Sequence, residues 1–94
     1  MAGVIDTFVF DANGGKFSDG STSLSAEAKS TRPIKEYCPI DPIRNGYKFL
    51  GWSSDKNSST GVSSESSIED AGGVVNQTLY AIWQKNGGGR NSDY

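Results

Sequence analysis

Apolar residues in this chain are gathered into a few short alternating runs separated by long polar stretches. Residues 4–12, Val-Ile-Asp-Thr-Phe-Val-Phe-Asp-Ala, place Phe8, Phe10 and Ala12 on one face and Thr7, Val9 and Asp11 on the other. That period of two, carried by β-branched and aromatic residues, predicts a first strand. It runs into Asn13-Gly14-Gly15, residue types that tolerate the positive φ of tight hairpin turns. The chain is expected to reverse there and to open a second strand near Lys16-Phe17. Residues 47–52 predict another strand, with Tyr47 and Phe49 on one face and Leu50 and Trp52 on the other. Apolar on both faces, it reads as central or covered on both sides. The last run, 78–84, sets Leu79, Ala81 and Trp83 against Tyr80 and Ile82.

The stretches between are harder to assign. Ser23 to Ser30 fits one or two helical turns or a frayed strand, and only Leu24 offers much to a core. Arg32 to Tyr37 alternates enough for a short strand. Pro39 and Pro42 then keep Cys38 and Asp41 out of the helical region, which predicts an extended crossing segment pinned by Ile40 and Ile43. Gly46 permits a turn before the 47–52 strand, and Gly51 lets another backbone or ring approach closely. Residues 53–73 are serine-rich, with Val62 and Ile68 as anchors, and a loop of this length is expected to be mobile or functional. Within it, Ser66-Ser67-Ile68-Glu69 matches a helix N-terminal capping box, a pattern frequent by chance. Met1-Ala2-Gly3 reads as the start of an excised fragment or as linker, residues 4–85 as a single domain, and residues 86–94 as a flexible linker or tail.

Composition narrows the picture. At 94 residues there is room for one domain, and such a chain buries little more than roughly 60% of its unfolded surface. With a mean hydropathy of -0.52, the core must rest on four Phe, four Tyr and two Trp, each able to bury about 150–250 Å². Core packing is the favoured role for Trp52 and Trp83; the other is an exposed platform on which sugar rings stack. A net charge of -2 argues against nucleic acid, which calls for a basic patch. The local exception is 29–48, where Lys29, Arg32, Lys35, Arg44 and Lys48 face only Glu36 and Asp41. A solvated mixed-charge surface accounts for it. Read as a site, it is a shallow contact for an acidic glycan or partner, with Lys29, Arg32 and Lys35 as the candidate partner-binding residues.

The side-chain inventory leaves little chemistry. There is no His, hence neither the commonest general base nor the commonest metal ligand. Cys38 is alone, so it closes no intrachain disulfide and builds no ordinary zinc site. Lacking an imidazole partner, it reads as a small buried hydrophobe rather than a nucleophile. Glu69-Asp70, and Asp41 with Asp55, are the carboxylate pairs that would have to converge for hydrolysis or calcium; adjacent acids on a serine-rich loop are more often solubilising charge. Asp11-Ala12-Asn13-Gly14-Gly15 lacks the closing Glu of a calcium loop, and Gly14-Gly15 and Gly72-Gly73 fit no phosphate-loop or dinucleotide pattern. The expectation is no catalytic, metal-binding or cofactor-binding residue and no cofactor. No apolar run approaches 18 residues, so no membrane insertion is expected. Asn57-Ser58-Ser59 and Asn76-Gln77-Thr78 are glycosylation acceptors only in a eukaryotic secretory pathway.

Three motifs in order, Phe-Val-Phe-Asp-Ala-Asn-Gly-Gly at 8–15, Pro-Ile-Arg-Asn-Gly-Tyr-Lys-Phe-Leu-Gly-Trp at 42–52 and Thr-Leu-Tyr-Ala-Ile-Trp at 78–83, resemble the Listeria–Bacteroides repeat family, the internalin B type of repeat. The resemblance covers roughly residues 7–84. It implies a mostly β domain with an α+β family relationship, a small β-grasp-like, ubiquitin-like sheet whose helix is reduced or absent. It implies no enzymatic activity, and a place in tandem on the outside of a bacterial cell. The function expected from it is an extracellular spacer and adhesion element contacting a host-surface or cell-wall polymer or protein and neighbouring repeats. The alternative is a binding module for a glycan or acidic polymer such as a glycosaminoglycan. Two departures stand out: Cys38 occupies a place where the family commonly has glycine, and Ser53 follows Gly51-Trp52 where an aromatic is frequent, so that strand is expected to end sooner.

Overall fold

The computed structural model describes residues 6–73 and 77–86. Four strands, β1 (Asp6–Asp11), β2 (Ser23–Ala28), β3 (Tyr47–Ser53) and β4 (Thr78–Lys85), form one mixed sheet in the order β2-β1-β4-β3. β1 runs antiparallel to β2 and parallel to β4, and β4 runs antiparallel to β3. The helical content among the described residues is two three-residue 3-10 turns, Ile34–Glu36 and Glu69–Ala71. Among the described residues the protein is thus mostly β, as expected. The expected extension of β1 to Val4 and Ile5, residues Met1-Ala2-Gly3, Asn76 and the tail beyond Asn86 lie outside the described residues.

The inward face carries the core the alternation predicts. Phe8 and Phe10 from β1, Ala12 just after it, and Leu79 and Ala81 from β4 are fully buried, together with Ile34, Ile68 and Trp52. Trp52 is the centre of an aromatic cluster. Phe10 meets it edge-on at 5.4 Å between centroids, Phe49 at 5.5 Å, and Phe17 stacks on it at 6.3 Å. Such pairs add about 0.5–1.5 kcal/mol each beyond the area they bury.

Several segments depart from the sequence reading. Asn13 and Gly14 do turn the chain, both at positive φ, but no strand opens at Lys16-Phe17. Lys16 instead exchanges backbone hydrogen bonds with Ile43, each 2.8 Å, while Phe17 drops under Trp52. A second turn, where the Asp19 carboxylate accepts from the Ser21 amide and hydroxyl, precedes β2. β2 therefore comes from the stretch that fitted helix and strand alike, with Leu24, Ala26 and Ala28 turned inward.

Arg32–Tyr37 holds the 3-10 turn Ile34–Glu36 rather than a strand. Its one deeply apolar residue, Ile34, must be buried, and the turn does so while Ile34 and Lys35 amides donate to Ser66 and Ser64 carbonyls at 2.9 and 2.8 Å. In the crossing segment Ile40 and Ile43 are 51% and 71% exposed, so neither is a pin; Pro42 is the buried residue. β3 is an edge strand, not a central one. A bulge between Phe49 and Gly51 sets Phe49 opposite Trp83 and Trp52 opposite Ala81. Cross-strand partners share a face, so the extra residue, Leu50, brings Phe49 and Trp52 to the same side and overturns the expected division.

The 53–73 loop is tied at intervals. Trp52 and Val62 exchange backbone bonds of 2.8 and 2.9 Å, the Ser54 amide donates to the Ala71 carbonyl and the Glu69 amide to the Ser30 carbonyl. Ile68 and Ala71 are buried. The reciprocal cap at its second turn joins Ser67 and Asp70, at 3.2 and 3.4 Å, rather than Ser66 and Glu69.

Candidate functional site

Arg44, in the turn that leads into β3, is the best-placed cation on the surface. The Arg44-Asn45-Gly46-Tyr47 turn closes with the Tyr47 amide donating to the Arg44 carbonyl at 3.0 Å. This brings the guanidinium over the Tyr47 ring, 3.7 Å from Cζ to the centroid. Gly14 is also close, since a methyl group there would come within 3.0 Å of Arg44 Cζ. The turn after β1 and the turn before β3 thus meet at this side chain. Among the described residues the ion pairs are Arg32–Glu36 and Lys35–Glu65, so this held guanidinium has no carboxylate partner.

Two hollows meet at Ile43-Arg44-Asn45. One, about 380 Å³, is walled by Pro42, Tyr47, Phe49 and Trp83. The other, about 430 Å³, is bordered by Gly14, Gly15 and Lys16. The aromatic wall is fixed: Trp83 Nε1 donates to the Ala12 carbonyl at 2.9 Å, and the Phe49 and Trp83 rings lie 5.5 Å apart. Half-buried rings offer apolar faces for a flat ligand surface, and a guanidinium offers a fork of donors matched to a carboxylate or sulfate. The arrangement can hold an anionic group beside a ring or an aliphatic chain.

The cations singled out from the sequence are arranged otherwise. Lys29, Arg32 and Lys35 are all exposed. Arg32 is forked onto Glu36 at 2.5 and 3.2 Å, and that hydrogen bond, followed by the charge of Glu36, raises its pKa. Lys35 lies 4.0 Å from Glu65, and the Lys29 amide donates to the Tyr37 hydroxyl at 3.3 Å. Arg44 belongs to the same cationic stretch but lies in the cleft. The signal that marks it is local: an Arg three residues before a Tyr across an Asn-Gly turn.

Of the two tryptophans, Trp52 is wholly buried and is core, with an indole N–H that has no hydrogen-bond partner among the described residues. Trp83 is the one that reaches a cleft. Cys38 is buried, and its thiol donates weakly to the Ile40 carbonyl at 3.6 Å. Burial, and then the nearby Asp41 charge, push that thiol up to about 11.

The sequence model of the Listeria-Bacteroides repeat domain matches residues 7–82. The chain belongs to that family. No curated protein and no solved structure matches it. The Listeria-Bacteroides repeat domain is a repeat family of bacterial surface proteins. In this repeat the matched span takes in Arg44, Tyr47 and Phe49 and stops one residue short of Trp83. No helix among the described residues is long and apolar enough to cross a membrane.

Proposed function

We propose that this repeat is a non-catalytic, extracellular contact module of a bacterial surface protein, a spacer and adhesion element that takes an anionic partner at the Arg44 cleft. The observation that carries the reading is the guanidinium itself, seated over the Tyr47 ring close to Gly14 and unpaired with any acid among the described residues. A side chain held in place loses little freedom on binding, which is where preorganisation gains affinity. The partner that fits is an acidic host-surface or cell-wall polymer, a glycosaminoglycan among them. Its carboxylate or sulfate meets Arg44, and its ring meets the Tyr47-Phe49-Trp83 wall. The surface formed by Lys29, Arg32 and Lys35 is the second place for such a contact, and its acid partners weaken its claim.

The test is binding of the folded domain to heparin, hyaluronan and a neutral glucan at low and high salt. Arg44→Ala is expected to lose tenfold or more of the acidic-polymer affinity, about 1.4 kcal/mol or above. Arg44→Lys should recover only part of it, because the fork is lost. If Lys29→Ala, Arg32→Ala and Lys35→Ala together abolish binding while Arg44→Ala leaves it intact, the contact belongs to the other surface. A blank on all three polymers leaves the spacer role alone.

A further inference from the structure

At the far edge of the sheet from the cleft, β2 is paired only with β1 among the described residues. Its hydrogen-bonding direction can be read residue by residue. The Ala12 amide donates to the Thr22 carbonyl, and the Val9 amide donates toward β4, to the Gln77 carbonyl. Antiparallel ladders alternate bonded and non-bonded pairs. Phe10 with Leu24, and Phe8 with Ala26, are therefore the bonded pairs, and Ser23, Ser25 and Glu27 turn their N–H and C=O groups to the open edge. All three are exposed. The edge has no Pro, no bulge and no Lys within the strand, the devices that ordinarily blunt such an edge.

We propose that this edge is an interface between two copies of the chain, with β2 adding antiparallel to β2 of a second copy about Ser25. Such pairing is a general mode of strand addition, and the residues favour this register. Ser25 falls opposite Ser25, and Ser23 opposite Glu27 in both directions, so every outward amide and carbonyl of the three finds a partner and no like charges meet. One step further, Lys29 of each copy falls opposite Ser21, whose amide and hydroxyl hold the Asp19 carboxylate. On the inward face Leu24 meets Ala26, beside an apolar hollow of about 250 Å³ lined by Phe17, Leu24, Cys38 and the half-exposed Ile40. A single edge of six residues buries too little for a tight dimer. The association is weak, and it gains force where many repeats stand close together.

Cysteine cross-linking reads both the contact and its register. In a bonded antiparallel pair the Cα atoms stand about 5.5 Å apart, inside the roughly 4.4–6.8 Å that a disulfide spans. Under mild oxidation of concentrated protein, Ser25→Cys should form a disulfide dimer about tenfold faster than Ser23→Cys or Glu27→Cys alone, because only it meets itself. An equimolar mixture of the last two should form the mixed dimer. Native Cys38 is buried and stays out of the reaction. Equal rates for the three variants, or a mixture no faster than its components, overturn the proposal. Sedimentation of the unmodified chain provides the second measurement: dimers at about 1 mM that Ser25→Lys abolishes support the contact, and a monomer throughout refutes it.

Discussion

Gly51→Ala is expected to come close to unfolding the domain, and the structure shows why. Gly51 sits at φ +141° just after the bulge in β3, and a methyl group there would lie 2.8 Å from the carbonyl carbon of Gly61 and that of Val62. What would have to move is backbone, held on the next residue by the two Trp52–Val62 hydrogen bonds. The left-handed conformation costs about 1–2 kcal/mol for an L-residue, and forced overpacking adds about 1–3 kcal/mol. The sum, roughly 2–5 kcal/mol, is a large part of the roughly 4–12 kcal/mol expected for about 80 ordered residues. Gly46 provides the control, since it also lies at positive φ, +84°, but has no heavy atom within 4 Å of a built methyl. Gly46→Ala should cost the conformational part alone, about 1–2 kcal/mol. Thermal unfolding followed by the fluorescence of buried Trp52 separates them: at about 4–8 °C per kcal/mol, Gly51→Ala should fall well below Gly46→Ala. Equal Tm values for the two would refute the close-approach argument.

Trp83→Phe removes the Nε1–Ala12 bond but leaves the Ala12 carbonyl its second donor, the Gly15 amide at 3.0 Å. Urea denaturation should therefore show a loss near 1 kcal/mol, and a loss several times larger would mean that the indole is a core element. Cys38 predicts an alkaline weakness: with the folded thiol near 11 against an ordinary value of 9.0, the unfolded chain releases its proton first as pH rises. Stability from this group is then complete below about pH 9, declines through 9–11 and is gone above it. Tm measured from pH 8 to 12 should fall less steeply in Cys38→Ala than in the parent, and parallel curves would contradict the assignment.

What the sequence made legible was periodic. Phe8, Phe10 and Ala12, and Leu79, Ala81 and Trp83, face inward as alternation requires, and Asn13-Gly14 turns the chain where those residue types say it should. The failures have a common physical origin, because each depended on a partner distant in sequence. The Ser-Leu-Ser-Ala-Glu-Ala run of β2 has no strong strand preference of its own and is extended because β1 offers it an edge. Ile34 is buried by a turn because Ser64 and Ser66 supply carbonyls from the other side of the chain. The bulge at Leu50 is invisible to a period of two, since one inserted residue exchanges the faces of all that follows. The same displacement concealed the cleft: Phe49 and Trp52 counted as opposite faces, so the row of rings leading from the core to the surface at Trp83 was not apparent. Arg44 was hidden among five cations because charge counts do not say which side chain has an aromatic ring beneath it.

That row of rings also decides which residue can report on binding. Phe49 touches both Trp52 and Trp83, so replacing it disturbs the core and the cleft together, and a lost affinity would not be separable from a lost fold. Arg44 touches the fold mainly through the Tyr47 ring, a contact that contributes about 0.5–1 kcal/mol at an exposed site. It can be removed with the core intact, which makes it the residue at which contact and stability come apart. The two proposed surfaces are separable in the same way. The cleft is built on β3 and β4 and the pairing edge is β2, at the opposite end of the order β2-β1-β4-β3. Two copies joined along β2 would therefore each keep an open Arg44 cleft. A pair of weak clefts held on one continuous sheet engages a polymer at two points, and the second engagement is then governed by effective concentration rather than by a new encounter. Ser25→Lys should accordingly weaken attachment to a long acidic polymer while leaving binding of a short acidic oligosaccharide unchanged, a difference that Arg44→Ala, acting on each cleft directly, would not produce.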